Sequence, residues 1–475
     1  MSLTYPKINP LPLLLAVTLS PLVGWLVVQG NWLYAIVLIF ALPVAIWLQR
    51  YPFATVIIWL IILPLIPAND SSRYLYWVVH RSLMALAISL NILERMLKIK
   101  PHPPIKLGWP DALMVGYLIL STLSLLFSQE HEITSKLQIY LFTIYDRTLV
   151  AYIAFWAIRF LAPTSQDFQR LIPLMAALVL LECIVGMLSW FYPDILPRMW
   201  QGRAALRGAR VTGTFAEPAA YSSTLVFFMT FILQHAMHTL KNGWQRYGYL
   251  LLIAFGLVCI FFTFSRGSWV AMLVVFAVWG MLYARTLLPL ASVGVVVMGL
   301  LLITIFNAEY NFALERLNSA QSATTRIIQA QAGQAMFLEK PIWGWGYGSY
   351  DLHDWKYMKR VGDFVPRQYE IKTGTSHNST LTILAEMGVI GLFFYAFPIL
   401  WWAIRSLQAW PHLPKETPPD DFFNRNLFLL LWANVIFVLI VGQFIDLRFF
   451  WFTLGEMWLT LGLIANYIDK LGIRN

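Results

Sequence analysis

His377 stands where a long polar stretch gives way to an apolar helix, in Thr375-Ser-His-Asn-Ser-Thr-Leu-Thr-Ile-Leu-Ala-Glu-Met-Gly-Val-Ile-Gly391. An imidazole at a membrane–water boundary can take or give a proton near neutral pH, and the helix dipole favours its neutral, basic form. Ser376 or Thr375 is expected to cap the helix N-terminus. Glu386 lies about 13 Å further along the helix axis. A carboxylate at that depth is a functional candidate by default, and otherwise a partner for Arg266 or for a backbone group. Gly388 and Gly391 are expected to allow close helix packing. The segment points to chemistry at a membrane surface rather than to a simple span.

Guanidinium groups gather on stretches expected to share the face of His377. Arg198, Arg203, Arg207 and Arg210 fill one connection, Arg266 sits in a second, and Arg316, Arg326, Lys356, Lys359, Arg360, Arg367 and Lys372 populate a third. Outward loops are ordinarily poor in Lys and Arg. The excess reads either as a site for an anionic ligand such as a diphosphate, or as solvated residues of long loops that escape the charge rule. In Arg210-Val-Thr-Gly-Thr-Phe-Ala-Glu-Pro218, Gly213 permits a tight turn and Pro218 suits the first turn of a helix, so Arg210, with Arg207 nearby, is expected at an anion-favouring N-terminus. Glu217 is either the cap of that helix or a catalytic group. Arg266, in Thr263-Phe-Ser-Arg-Gly-Ser-Trp269, is either an interface anchor or an intramembrane anion ligand. Arg326 begins a polar helical stretch that runs to Pro341-Ile-Trp-Gly-Trp-Gly-Tyr-Gly-Ser-Tyr350, read as a compact turn with exposed rings that could stack on sugars. Its G-x-G-x-G spacing lacks the βαβ context of a dinucleotide site. Asp351 and Asp354 are weak evidence for a metal.

These groups must be held by membrane helices. The chain is 59% apolar and 12% charged, against about 25% charged in soluble domains. It is therefore expected to be an all-α integral membrane protein, and its many Trp and Tyr suit the two interfaces. A span needs about 20 mostly apolar residues, and about fourteen such stretches fit; they include 268–284, 286–306, 378–405, 427–445 and 449–467. The organisation expected is 1–109 as helices without motifs, 110–306 as a core carrying the arginine motifs, 307–376 as a large outer loop region, and 377–475 as helices led by the histidine motif. Arg95, Lys98, Lys100 and Lys106, then Lys241 and Arg246, then Lys470 and Arg474, mark the cytoplasmic face, with both termini there. Cys183 and Cys259 lie inside apolar stretches and read as small buried hydrophobes. No cleavable signal peptide is expected, no Cys/His spacing suits zinc, and the net charge of +10 bears on lipid and diphosphate, not on nucleic acid.

Taken together the motifs resemble the O-antigen ligase and O-antigen polymerase superfamily. The likeness rests on Arg210-Val-Thr-Gly-Thr-Phe, Phe264-Ser-Arg-Gly-Ser, Pro341-Ile-Trp-Gly-Trp-Gly-Tyr-Gly and the His377-led helix, over roughly 110–470. It implies a GT-C-like fold of about 12–14 transmembrane helices with one large periplasmic or extracellular loop region, in the bacterial inner membrane. It also implies a metal-independent, cofactor-free, inverting glycosyltransferase. The donor would be a glycan on undecaprenyl diphosphate, the acceptor a glycan or lipid A–core. Membrane lipids, and for a polymerase a chain-length regulator, would be further partners. His377 would activate the acceptor hydroxyl and Arg210, Arg266 and Arg326 would bind the diphosphate, with Arg207, Glu217 and Glu386 in support. A polysaccharide polymerase is the leading expectation and an O-antigen ligase the alternative, with a glycan ligase acting on proteins third. A small-anion transporter is the contrasting class, although it should show repeats and broken helices at the midplane.

Overall fold

The computed structural model describes residues 53–66, 73–97, 107–127, 144–197, 210–215, 217–240, 243–304, 320–358 and 376–472, with scattered positions in 17–30 and at Tyr51, Trp200 and Asn311. The described elements are helical, and the chain is an all-α membrane protein. In chain order the α-helices of more than two turns are α1 (Phe53–Leu65), α2 (Arg73–Met96), α3 (Trp109–Phe127), α4 (Val150–Leu161), α5 (Ser165–Phe191), α6 (Pro218–Gln234), α7 (Trp244–Phe261), α8 (Arg266–Thr304), α9 (Ala320–Glu339), α10 (Ser379–Ala409), α11 (Arg425–Val441) and α12 (Trp451–Lys470). Among the described residues, Ser165–Phe191, Trp244–Phe261, Arg266–Pro289 and Ser379–His412 are long and apolar enough to cross a membrane.

Two helices form the centre. Every residue of α6 is buried, as is nearly all of α12. Both are apolar on all sides, and a helix of that kind finds its place inside a bundle rather than at its rim. α12 packs on α4, α11, α10 and α6, and α6 on α11, α7 and α5. At the far end of α4 the buried Arg159 guanidinium bonds Asp111 (2.8 Å) and Asp469 (3.1 Å), tying α3, α4 and α12 together.

Two expected spans, 268–284 and 286–306, meet inside α8. The helix is broken at Tyr283 (φ −133°, ψ 21°), six residues before Pro289. In the expected outer loop, the polar stretch around Arg326 is α9, which packs on α10.

α10 is interrupted at Gly388, whose backbone is left-handed (φ 64°, ψ −165°). The break orphans backbone groups on both sides, and the glycine-rich loop supplies their partners. Trp345 N–H donates to the Ala385 carbonyl (3.1 Å) and Gly346 N–H to that of Glu386 (2.7 Å), while Val389 N–H donates to the Pro341 carbonyl (2.8 Å). Gly388 thus does permit a close approach, but by the backbone of Pro341 and Ile342 in the loop rather than by a neighbouring helix, and at a break in α10. The close approach also explains Gly344 (φ 70°): a Cβ there would overlap the Glu386 carbonyl. Gly344→Ala should therefore destabilise by more than the ~1–2 kcal/mol of a left-handed alanine alone. Thermal unfolding of the purified variant checks this, and an unchanged midpoint would contradict the splice.

The rings of this loop are not uniformly exposed. Trp343 is exposed, but Trp345 lies between Lys340 (Nζ 3.7 Å from the ring centre) and His353 (ring centres 4.3 Å apart), and Tyr347 is buried. A sugar could reach Trp343; Trp345 and Tyr347 are used in packing.

Candidate active site

The N-terminus of α10 is built differently from expectation. Asn378, not Ser376 or Thr375, is the cap: its side-chain oxygen accepts from Leu381 N–H (2.9 Å). Ser376 Oγ instead donates to the Asn378 carbonyl (2.9 Å) and accepts from Asn378 N–H (3.2 Å). Thr375 lies outside the described residues. Between these two, His377 has φ 55°, a left-handed conformation that histidine tolerates better than most side chains. Phe264, two residues before Arg266, is left-handed as well (φ 47°). Non-glycine residues held this way tend to collect at functional sites.

The connection from α11 to α12 is laced onto this N-terminus. Ser379 N–H donates to the Gly442 carbonyl (2.7 Å), Ser379 Oγ donates to the Ile445 carbonyl (3.1 Å), and Leu447 N–H donates back to Ser379 Oγ (2.9 Å). This brings Asp446 into the electrostatic environment of His377. Burial, and then the Arg326 charge, lower the histidine pKa from its ordinary value, while Asp446 opposes them. The neutral form is favoured as expected, through desolvation and a neighbouring cation.

Asp446 belongs to a triad that inspection of the sequence missed. Arg448 Nη1 donates to Glu386 Oε2 (2.7 Å) and Arg448 Nη2 to Asp446 Oδ2 (2.7 Å), with Nε also turned to Asp446. Burial alone would raise the Asp446 pKa, but the Arg448 guanidinium holds it below the usual carboxylate value. Glu386 is thus the partner of Arg448 and accepts from Tyr350 N–H (3.3 Å), on the loop that mends the α10 break. A signal existed: opposite charges two residues apart in a short connection between apolar runs.

The two arginine motifs abut. Val211 N–H donates to the Phe262 carbonyl (3.1 Å), so the turn that carries Arg210 lies against the bend that leads to Arg266. A Cβ on Gly267 would press on Phe444 at 2.9 Å, which sets the start of α8 beside the 442–450 connection and hence near α10. Arg210, Arg266, Arg326 and His377 are all partly exposed. Glu217 occupies the N-cap position of α6 but makes no side-chain cap hydrogen bond. Arg207 lies outside the described residues.

Glu182 of α5, also missed, fixes the shape of the Arg210 turn. Its carboxylate accepts from Thr214 Oγ1 (2.7 Å) and Thr214 N–H (3.0 Å), and Tyr221 hydroxyl donates to its carbonyl (3.1 Å). Gly213 (φ 55°) leaves room for this carboxylate, which a Cβ would overlap. Glu182→Ala strands the buried Thr214 N–H at a cost of about 1–3 kcal/mol. It should lower both the unfolding temperature and the rate of the reaction that uses Arg210; a variant as stable and active as the parent would remove Glu182 from this role.

Residues 250–396 match the O-antigen ligase family. The matched stretch contains Arg266, Arg326, the glycine-rich loop, His377 and Glu386, and it ends before the Asp446–Arg448 connection. An O-antigen ligase of Salmonella typhimurium is 33% identical over 202 residues, a match that covers 41% of this chain and 48% of that protein. The chain thus spans about half the length of that curated relative (48%). Both likenesses support the superfamily to which the motifs point.

Proposed function

We propose that this chain is a membrane glycosyltransferase that moves a glycan from undecaprenyl diphosphate to an acceptor sugar hydroxyl, and that it acts as an O-antigen ligase with lipid A–core as acceptor. The observation that carries the reaction class is His377, held left-handed at the mouth of α10 and favoured in its neutral form beside Arg326 and Asp446. A neutral imidazole can take the proton of the attacking hydroxyl. The leaving diphosphate gathers charge as the glycosidic bond breaks, and arginines supply fixed positive charge without changing protonation. Arg210, Arg266 and Arg326 are the candidates. Attack opposite the diphosphate inverts the anomeric carbon. The ligase reading displaces the polymerase expected from sequence because both likenesses carry the description O-antigen ligase. The site would face the periplasm of a bacterial inner membrane.

The test is a purified protein given an undecaprenyl-diphosphate-linked oligosaccharide, with and without lipid A–core, and products separated on a gel. Transfer only when lipid A–core is present is the expected result. A ladder of longer glycans from the donor alone would restore the polymerase. No transfer by folded protein over varied glycans would sink the reading. Transfer should also survive excess EDTA; a loss that magnesium or manganese restores would refute the metal-free mechanism.

A further inference from the structure

The π-helical turn Tyr145–Leu149 leads into α4 and packs on the turn Leu447–Phe449, beside the Asp446–Arg448 pair. It carries Arg147, whose guanidinium lies 3.8 Å from the centre of the Phe449 ring. The neighbouring acids are already engaged: Arg448 takes Glu386 and Asp446 through Nη1, Nη2 and Nε. Among the described residues Arg147 is held by the ring, and its buried Nε has no hydrogen-bond partner. A guanidinium held over an aromatic face by the ring's attraction for the cation keeps its N–H groups available, and its planar fork suits a two-pronged grip on an oxyanion. The Leu447–Phe449 turn that carries the Phe449 ring is itself tied to Ser379, two residues from His377, by the Leu447 N–H bond to Ser379 Oγ (2.9 Å), which places the Arg147 turn next to the connection that borders the histidine.

We infer that Arg147 is a further anion ligand of this site, gripping an oxyanion of a substrate, in the first place a phosphate oxygen of the lipid-linked donor. The inference rests on the glycosyltransferase reading above. The competing role is a pure counter-charge: two carboxylates around one Arg448 leave a negative excess that any nearby cation would offset. A counter-charge needs only a positive group, whereas the grip needs the planar fork, and lysine separates the two.

The experiment uses the full chain as wild type, Arg147→Lys and Arg147→Met, with thermal unfolding as the control for folding. Undecaprenyl diphosphate binding is measured directly, and transfer kinetics are recorded with donor and acceptor varied separately. Arg147→Met should weaken undecaprenyl diphosphate binding and raise the donor KM by ~10–100-fold, the usual cost of a lost charged hydrogen bond. Arg147→Lys should recover only part of this. A rise in acceptor KM with donor binding unchanged would place the oxyanion on the acceptor, and still supports the grip. Wild-type behaviour from Arg147→Lys overturns the grip in favour of a counter-charge, and from Arg147→Met overturns both. If Arg147→Met does not fold, Arg147→Lys alone decides by the same criterion. Wild-type protein that neither binds nor transfers overturns the functional reading itself, a separate outcome.

Discussion

Replacing His377 with alanine should lower glycan transfer by about 10²–10⁴-fold, the range over which a positioned general base contributes. The backbone complicates the choice of variant. His377 has φ 55°, and an alanine there carries a left-handed penalty of ~1–2 kcal/mol. Asparagine accepts that conformation and supplies no base near neutral pH, so His377→Asn should lose activity as fully as His377→Ala while unfolding closer to wild type. The pH profile adds an independent check. Burial and Arg326 lower the pKa below the ordinary 6.5, so protonation in the folded protein needs a more acidic solution. The acid limb of the rate should therefore be centred below 6.5. An acid limb centred above that value, or an active His377→Asn protein, would remove His377 as the base.

Replacing Arg448 with methionine should destabilise the protein by about 3–5 kcal/mol, the cost of leaving a buried charge without its partner. The side chains are 2% exposed for Arg448, 1% for Glu386 and 0% for Asp446, so water cannot take the place of the guanidinium. The loss belongs to the stranded carboxylates, not to the net value of the ion pairs. The combined variant Arg448→Met, Asp446→Asn, Glu386→Gln should therefore recover part of the stability that the single variant loses. Thermal unfolding in detergent measures both. The triad also joins the 442–450 connection to α10 near the mended break, so the single variant should disturb His377 and reduce transfer. A single variant as stable as wild type would show that the triad is not buried in the working protein.

Much of the architecture follows from local patterns. Apolar run length marks the spans, and the kink at Tyr283 falls at the edge of the expected span 268–284, one to two turns ahead of Pro289 in the same long apolar stretch. The helix Ala320–Glu339 is legible as a polar helical run before Pro341. The arginine motifs and the histidine-led helix are legible for the same reason: each is a short string whose residue types suffice.

The connections between those strings are not local. Glu386 and Arg448 stand 62 residues apart, and Glu182 and Thr214 32 apart. No periodicity links a carboxylate on one helix to a donor on another, so although Asp446, Arg448 and Glu182 stand out as charges within or between apolar runs, their partners could not be chosen from the sequence. The glycine-rich loop shows the same limit. Its spacing announces a turn, yet the use of that turn depends on a second break at Gly388, and the two complete each other's hydrogen bonds only when the helices are assembled. Chain composition and short motifs thus specify an all-helical membrane protein with a histidine and several arginines at helix ends, because burial and helix propensity act on neighbours in sequence. Which acid each guanidinium holds, what caps α10 and which charges surround His377 depend on packing between distant segments, because electrostatics and hydrogen bonding act on neighbours in space.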